Sequence, residues 1–164
     1  MTPNTPYSAY LGDREPIASM RDTSERIRAL TDGWSRPQFE RTYAPGKWTA
    51  RQILTHLAET EMALGYRVRM ALCSPGYVAQ PFDQDAWIVK ESRTTGAEAA
   101  AARFALRQMN LSLFAALSAA ERQTPFTHPE YGALTVDWVI HQMAGHDLNH
   151  VQQLETIAAS PSPG

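Results

Sequence analysis

The 164-residue sequence has one cysteine, Cys73, so an intrachain disulfide is excluded. Cys73 has no CxxC neighbour and reads as a small buried or half-buried side chain. An excess of charge of one sign is also lacking. Fifteen Lys and Arg face seventeen Asp and Glu, for a net charge of -2, and no dense basic run is present. Nothing in that balance asks for nucleic acid or an anionic membrane surface as partner. No run of 18 apolar residues exists, which excludes a transmembrane helix of ordinary length. The start, MTPNTPYSAY, has no basic stretch followed by an apolar one, so it does not read as a secretory signal. These absences together predict a cytoplasmic protein. Internal repeats and low-complexity linkers are missing too.

What is present is the composition of one globular domain. Hydrophobic residues make up 43% and charged residues 20% of the chain, and the length suits a single sizeable core. The expected domain spans 1–164, with residues 1–10 and the tail 160–164 loosely held.

Four stretches carry helical periodicity. In 14–32, Ile17, Met20, Ile27 and Leu30 mark one face, with Gly33 beyond the end. A second helix opens at Thr49-x-x-Gln52, a capping-box pattern, and runs to about Leu72 despite Gly65. Its inward face reads Ile53, His56, Leu57, Thr60, Ala63 and Leu64. A third runs over about 96–118, with Phe104, Leu111, Phe114 and Ala115 sharing a face. The last follows Thr135 and reaches about Ala158, with Val139, Ile140, Met143, His146, Asp147, His150 and Leu154 on its inward stripe. The connection TPFTHPEYGA is turn-rich and has room for a short extended piece. Four long helices with longer middle connections predict an all-α four-helix bundle.

Histidines carry the chemistry. His146 and His150 stand four residues apart on the apolar stripe of the last helix, so their rings project from one side. Two such imidazoles can converge on one ion at about 2.0–2.1 Å. Burying them side by side without a partner wastes their hydrogen-bonding capacity. His56, inward on another helix, supplies a third nitrogen, and bundles build metal sites from facing helices. The alternative is three core histidines satisfied by Thr60, Asp147 or backbone carbonyls. His141 is turned about 140° from His146 and reads as a surface or helix-packing residue. His128 reads as a turn residue, although a loop histidine could dip into a pocket.

Around these positions the chain resembles the DinB superfamily of DinB/YfiT-like metal-dependent enzymes. The matching pieces are KWTARQILTHLAETE, QPFDQDAW, HPEYGALTVDW and GHDLNHVQQLE, in family order over about 48–155. The resemblance implies up-down-down-up connectivity and a divalent metal, often nickel or zinc, held by three histidines. Carried onto this sequence, those are His56, His146 and His150. Some relatives, such as mycothiol-dependent maleylpyruvate isomerases, have a carboxylate where His146 stands. Several members transfer thiols such as bacillithiol, mycothiol or glutathione, and the family often forms dimers.

A three-imidazole ion with open positions can generate hydroxide from water, activate a thiolate or polarise a carbonyl. A metal-dependent thiol S-transferase or hydrolase acting on a small molecule is therefore expected, with a low-molecular-weight thiol as possible cosubstrate. The alternative is a metal-binding stress protein without turnover. Thr60, Asp83, Trp87 and Asp147 are the candidates for the surrounding pocket. Asp147 could orient an imidazole, or pair with Arg67 or solvent. Asp83 and Trp87 could roof the site, or serve as a helix N-cap and a core plug. Cys73, about 25 Å from His56 along the helix axis, is a poor nucleophile candidate.

Overall fold

A computed structural model of the chain describes residues 2–160. In chain order its elements are α1 (Ser8–Leu11), α2 (Pro16–Thr31), α3 (Arg36–Phe39), α4 (Ala50–Cys73), α5 (Gln84–Lys90), α6 (Gly96–Ala116), α7 (Ala119–Arg122), β1 (Pro125–His128), β2 (Gly132–Thr135) and α8 (Val136–Ala159). The four long helices match the expected stretches, and their starts are fixed by side-chain caps. Thr49 and Thr95 form reciprocal capping boxes with Gln52 and Glu98. Glu15 accepts from the amides of Ile17 and Ala18 ahead of Pro16, and Thr135 accepts from Trp138. Each such cap contributes about 1 kcal/mol.

α2 packs on α6 and α8, and α4 packs on the same two helices, so α2 and α4 lie across the bundle's diagonal. Contacts along the pairs fix their directions. Thr23 meets Asp147 and Arg26 meets Glu155, so α2 and α8 run the same way. Trp48 lies by His150 while His56 meets His146, so α4 opposes α8. Arg103 reaches Ser24 and Arg107 reaches the Met20 carbonyl, so α6 opposes α2.

Three features differ from expectation. The turn-rich connection is an antiparallel hairpin, with Pro125 paired to Thr135 and His128 to Gly132. Cys73 is exposed at the end of α4, not buried. Residues 4–11, expected to be loose up to residue 10, pack on the bundle. Thr5 and Leu11 are buried, and Trp138 Nε1 donates to the Asn4 carbonyl at 3.0 Å. Tyr7 lies against α8 at Gly145, where an added Cβ would come within 2.5 Å of the Tyr7 carbonyl oxygen. Of the tail, 161–164 lie outside the described residues, and the Ser160 carbonyl accepts from Arg41.

The core has two apolar halves. One gathers Met20, Leu64, Val68, Phe114, Val139, Ile140 and Met143. The other gathers Ile27, Ile53, Leu54, Leu57, Val151, Leu154 and Ile157. Each fully buried aliphatic side chain contributes roughly 1.5–3 kcal/mol. Between the halves runs a polar belt. In it, Asp147 accepts from Arg103 (3.0 Å), Arg107 (2.5 Å) and Thr23 (3.0 Å), and Glu61 pairs with Arg107 and Asn110. Two guanidiniums against two carboxylates balance, which is what a buried ionic cluster requires. Burial alone would lower the Arg107 pKa, but the carboxylates of Asp147 and Glu61 raise it above its ordinary value. Gly65, a weak helix residue, has its place here: an added Cβ would come within 2.5 Å of the Asn110 amide.

Candidate metal centre

His56 lies in the second turn of α4 and His146 and His150 lie mid-way along α8, all three buried. Because α4 and α8 are antiparallel neighbours, the three rings meet in the polar belt. His146 Nε2 is 2.9 Å from His56 Nε2 and 3.1 Å from His150 Nε2. One ligand atom from each ring can be chosen so that all lie within 4.8 Å of one another. Two nitrogens bound to one ion at about 2.0–2.1 Å stand about 3–3.4 Å apart, so this spacing fits a shared cation.

The chemistry of the donors agrees. A ring nitrogen carries either one hydrogen or one lone pair. His146 Nε2 therefore cannot hydrogen-bond well to both neighbours, whereas one cation satisfies all three lone pairs. The tautomer of His150 is set by Gln153, whose Oε1 lies 2.8 Å from His150 Nδ1 and accepts its proton, leaving Nε2 bare. Burial pushes the His56 pKa down to about 3, with the neighbouring His150 adding to the shift. Burial likewise holds His146 well below the usual range, helped by His150, His56 and Arg107. His150 is lowered by burial against the opposing pull of Gln153 and Asp147. All three are free bases at neutral pH, the form that binds a cation. Aromatic walls hold the rings: Trp48 packs on His56 (4.9 Å) and Tyr7 meets His146 edge-on (5.0 Å).

A cavity of about 250 Å³ opens above His56 and His146. Its floor is made by two helical stripes, His56–Thr60–Leu64–Arg67 on α4 and Trp138–Gln142–His146 on α8. Thr60, expected in the pocket, lines it. Asp147 does not. One residue past His146, it is turned about 100° around the helix and faces Arg103 and Arg107. It neither orients an imidazole nor pairs with Arg67. Asp83 is the N-cap of α5, accepting from the amides of Asp85 and Ala86, and it is absent from the cavity wall. Trp87 is 38% exposed and packs on Phe82, so it is neither roof nor core plug; Phe82 is the wall residue.

His141 is buried, with Nδ1 2.9 Å from the Asp137 carbonyl, and packs away from the triad. His128 is a strand residue, not a turn residue, and its buried ring lines the cavity. Sequence reasoning missed Arg67 and Gln142 as wall residues. Both stand on the same helical stripes as the histidines, at i+11 from His56 and i-4 from His146, and that spacing was the available signal.

Three neutral imidazoles converging beneath an open cavity in a helical bundle define the class: a bundle with the donor set and geometry of an open three-histidine metal centre. The chain belongs to the DinB superfamily, whose model matches residues 19–154. A protein of Oceanobacillus iheyensis named "Putative metal-dependent hydrolase" is 25% identical over 144 residues, covering 87% of this chain and 84% of that one. One of the same name from Bacillus mycoides is 23% identical over 135 residues, covering 82% and 78%. The solved structure of YfiT from Bacillus subtilis superposes with a TM-score of 0.78 at 21% identity, covering 87% of this chain and 83% of that one. It is described as "a probable metal-dependent hydrolase with an unusual four-helix bundle topology". At that identity the likeness establishes the fold.

Proposed function

We propose that this protein is a metal-dependent enzyme acting on a small molecule, with His56, His146 and His150 holding a divalent ion, zinc or nickel. The observation that carries this is the meeting of three free-base imidazole nitrogens beneath an open cavity whose wall includes two of the rings, His56 and His146. An ion held by neutral ligands keeps its full double charge, which favours an anionic partner and lowers the pKa of a bound water or thiol. Gln153 keeps His150 in the ligating tautomer. Trp48 and Tyr7 wall off two of the rings. Thr60 and Gln142, one turn from His56 and His146 respectively, flank the cavity floor and present polar groups to a substrate. The Gln142 Oε1 is buried and has no hydrogen-bond partner among the described residues.

Hydrolysis is the activity carried by the relatives' names. Thiol S-transfer is the second form of the same chemistry: a thiol sheds its proton more readily than water and needs less help from a base. A low-molecular-weight thiol would then be the cosubstrate. The test is an activity panel on zinc- and nickel-loaded protein, with small esters and amides for hydrolysis and thiol-plus-electrophile pairs for conjugation. Turnover that depends on the ion and is lost in His150→Ala supports the proposal. Metal retention without turnover in any assay would favour a binding protein instead.

A further inference from the structure

The buried cations of this chain fall into two kinds. Arg103 and Arg107 each meet a carboxylate in the polar belt. Arg67 is buried as well, but among the described residues it has no carboxylate within ion-pair distance. Its Nη2 donates to the Gln80 carbonyl at 2.6 Å, and its Cζ lies 5.9 Å from the centre of the Phe82 ring. These contacts fix the side chain at the cavity wall and use one of its five N–H donors. Burial accordingly draws its pKa down, with Tyr77, Glu130 and Tyr131 offsetting part of the shift. A mostly buried guanidinium whose remaining donors reach the cavity, with no carboxylate in ion-pair contact among the described residues, is placed to take an anion there.

We propose that Arg67 is the binding residue for a carboxylate on the substrate, so that this centre takes small molecules with a carboxylate at one end and the reacting group at the other. The proposal rests on the metal-centre reading above. A carboxylate fits better than a phosphate. One guanidinium matches one negative charge, and the exposed Glu130 on the same cavity wall would repel a dianion about twice as strongly as a carboxylate. The stripe on α4 also sets a length. Arg67 is eleven residues beyond His56, about 16 Å along the axis, and a helical side chain leans back toward the N-terminus. His56 leans the same way, and the longer arginine leans further by about 3 Å, so the guanidinium stands roughly 13 Å from the imidazoles. The intervening walls, Thr60, Leu64 and Gln142, accept a chain that is largely apolar with one polar group.

Bifunctional probes test this on the zinc-loaded protein. ω-Mercaptoalkanoic acids offer a thiol to the ion and a carboxylate to Arg67, and ω-mercaptoalkanols of equal length lack the carboxylate. Calorimetric titration is expected to show the acids binding at least tenfold more tightly, with an optimum at about three to five methylenes once the metal–sulfur bond and the carboxylate–guanidinium contact are counted. Arg67→Ala is expected to abolish that preference while leaving zinc content unchanged. Equal affinity for acids and alcohols in the wild type overturns the role of Arg67 and leaves the metal centre standing. So does an acid preference that survives Arg67→Ala. Tighter binding of the matching phosphonates overturns the choice of carboxylate. No binding by either probe series overturns the proposal, while the zinc content of the protein reads separately whether the metal centre stands. Should Arg67→Ala fail to fold, the wild-type comparison still decides.

Discussion

Replacing His150 by alanine removes one of three converging nitrogens and leaves His56 and His146 at 2.9 Å. The consequence can be worked as a melting-temperature shift. At a free metal concentration 100 times Kd, binding stabilises the folded protein by about 2.7 kcal/mol. Unfolding entropy is about 2.1 cal/mol/K per residue, or roughly 0.34 kcal/mol/K for 164 residues. The wild type should therefore melt about 8 °C higher with metal than with chelator. Loss of a group that merely orients a ligand weakens metal binding 10–100-fold, and loss of a ligand itself belongs at or beyond the upper end. At a hundredfold weaker Kd and the same metal concentration, the stabilisation falls to about 0.4 kcal/mol, or about 1 °C. Differential scanning calorimetry of both proteins, with zinc and with chelator, reads the two shifts directly. Referring each protein to its own chelated state removes the packing cost of the substitution. Equal zinc-induced shifts in wild type and His150→Ala would refute the assignment of His150 as a ligand.

His141→Ala should leave the zinc-induced shift intact, because its Nδ1 faces the Asp137 carbonyl; elemental analysis showing a large metal loss would contradict that. Asp147→Asn should cost about 3–5 kcal/mol, measured by urea denaturation, because it leaves Arg103 and Arg107 short of a buried counter-charge. Gln153→Ala should weaken zinc binding about tenfold in a competition titration, since it frees the tautomer of His150. The chelated protein should lose stability as pH falls from 6.5 toward 3. Below 6.5 the unfolded chain takes up a proton at His56, while the folded chain, with that pKa at about 3, does not. Each such histidine steepens the slope by up to about 1.4 kcal/mol per pH unit, and urea midpoints that stay flat over that range would contradict the burial of neutral imidazoles.

The parts of the fold governed by local rules were legible in the sequence. Thr49 and Thr135 cap where the apolar rhythm begins, because capping depends on residues within one turn. His56, His146 and His150 were legible because helical spacing puts them on buried stripes. Asp147 was misplaced for a related reason. A broad inward stripe counts it with His146, yet one residue is 100° of rotation, and the two side chains meet different neighbours of α8. His128 and Tyr7 reach the site through a hairpin and an N-terminal strap, and no periodicity in the chain reports contacts of that range. Arg67 stood in plain view on the α4 stripe. Only the structure shows that the carboxylates of Asp147 and Glu61 are committed to other arginines.

The most direct test of the central claim is X-ray absorption at the zinc edge on protein made without a histidine tag and loaded with one equivalent of zinc. Scattering from three imidazoles at about 2.0–2.1 Å, with the remaining position filled by a light atom, is the predicted result. An ion that fails to bind at one equivalent, or binds without imidazole scattering, would contradict it.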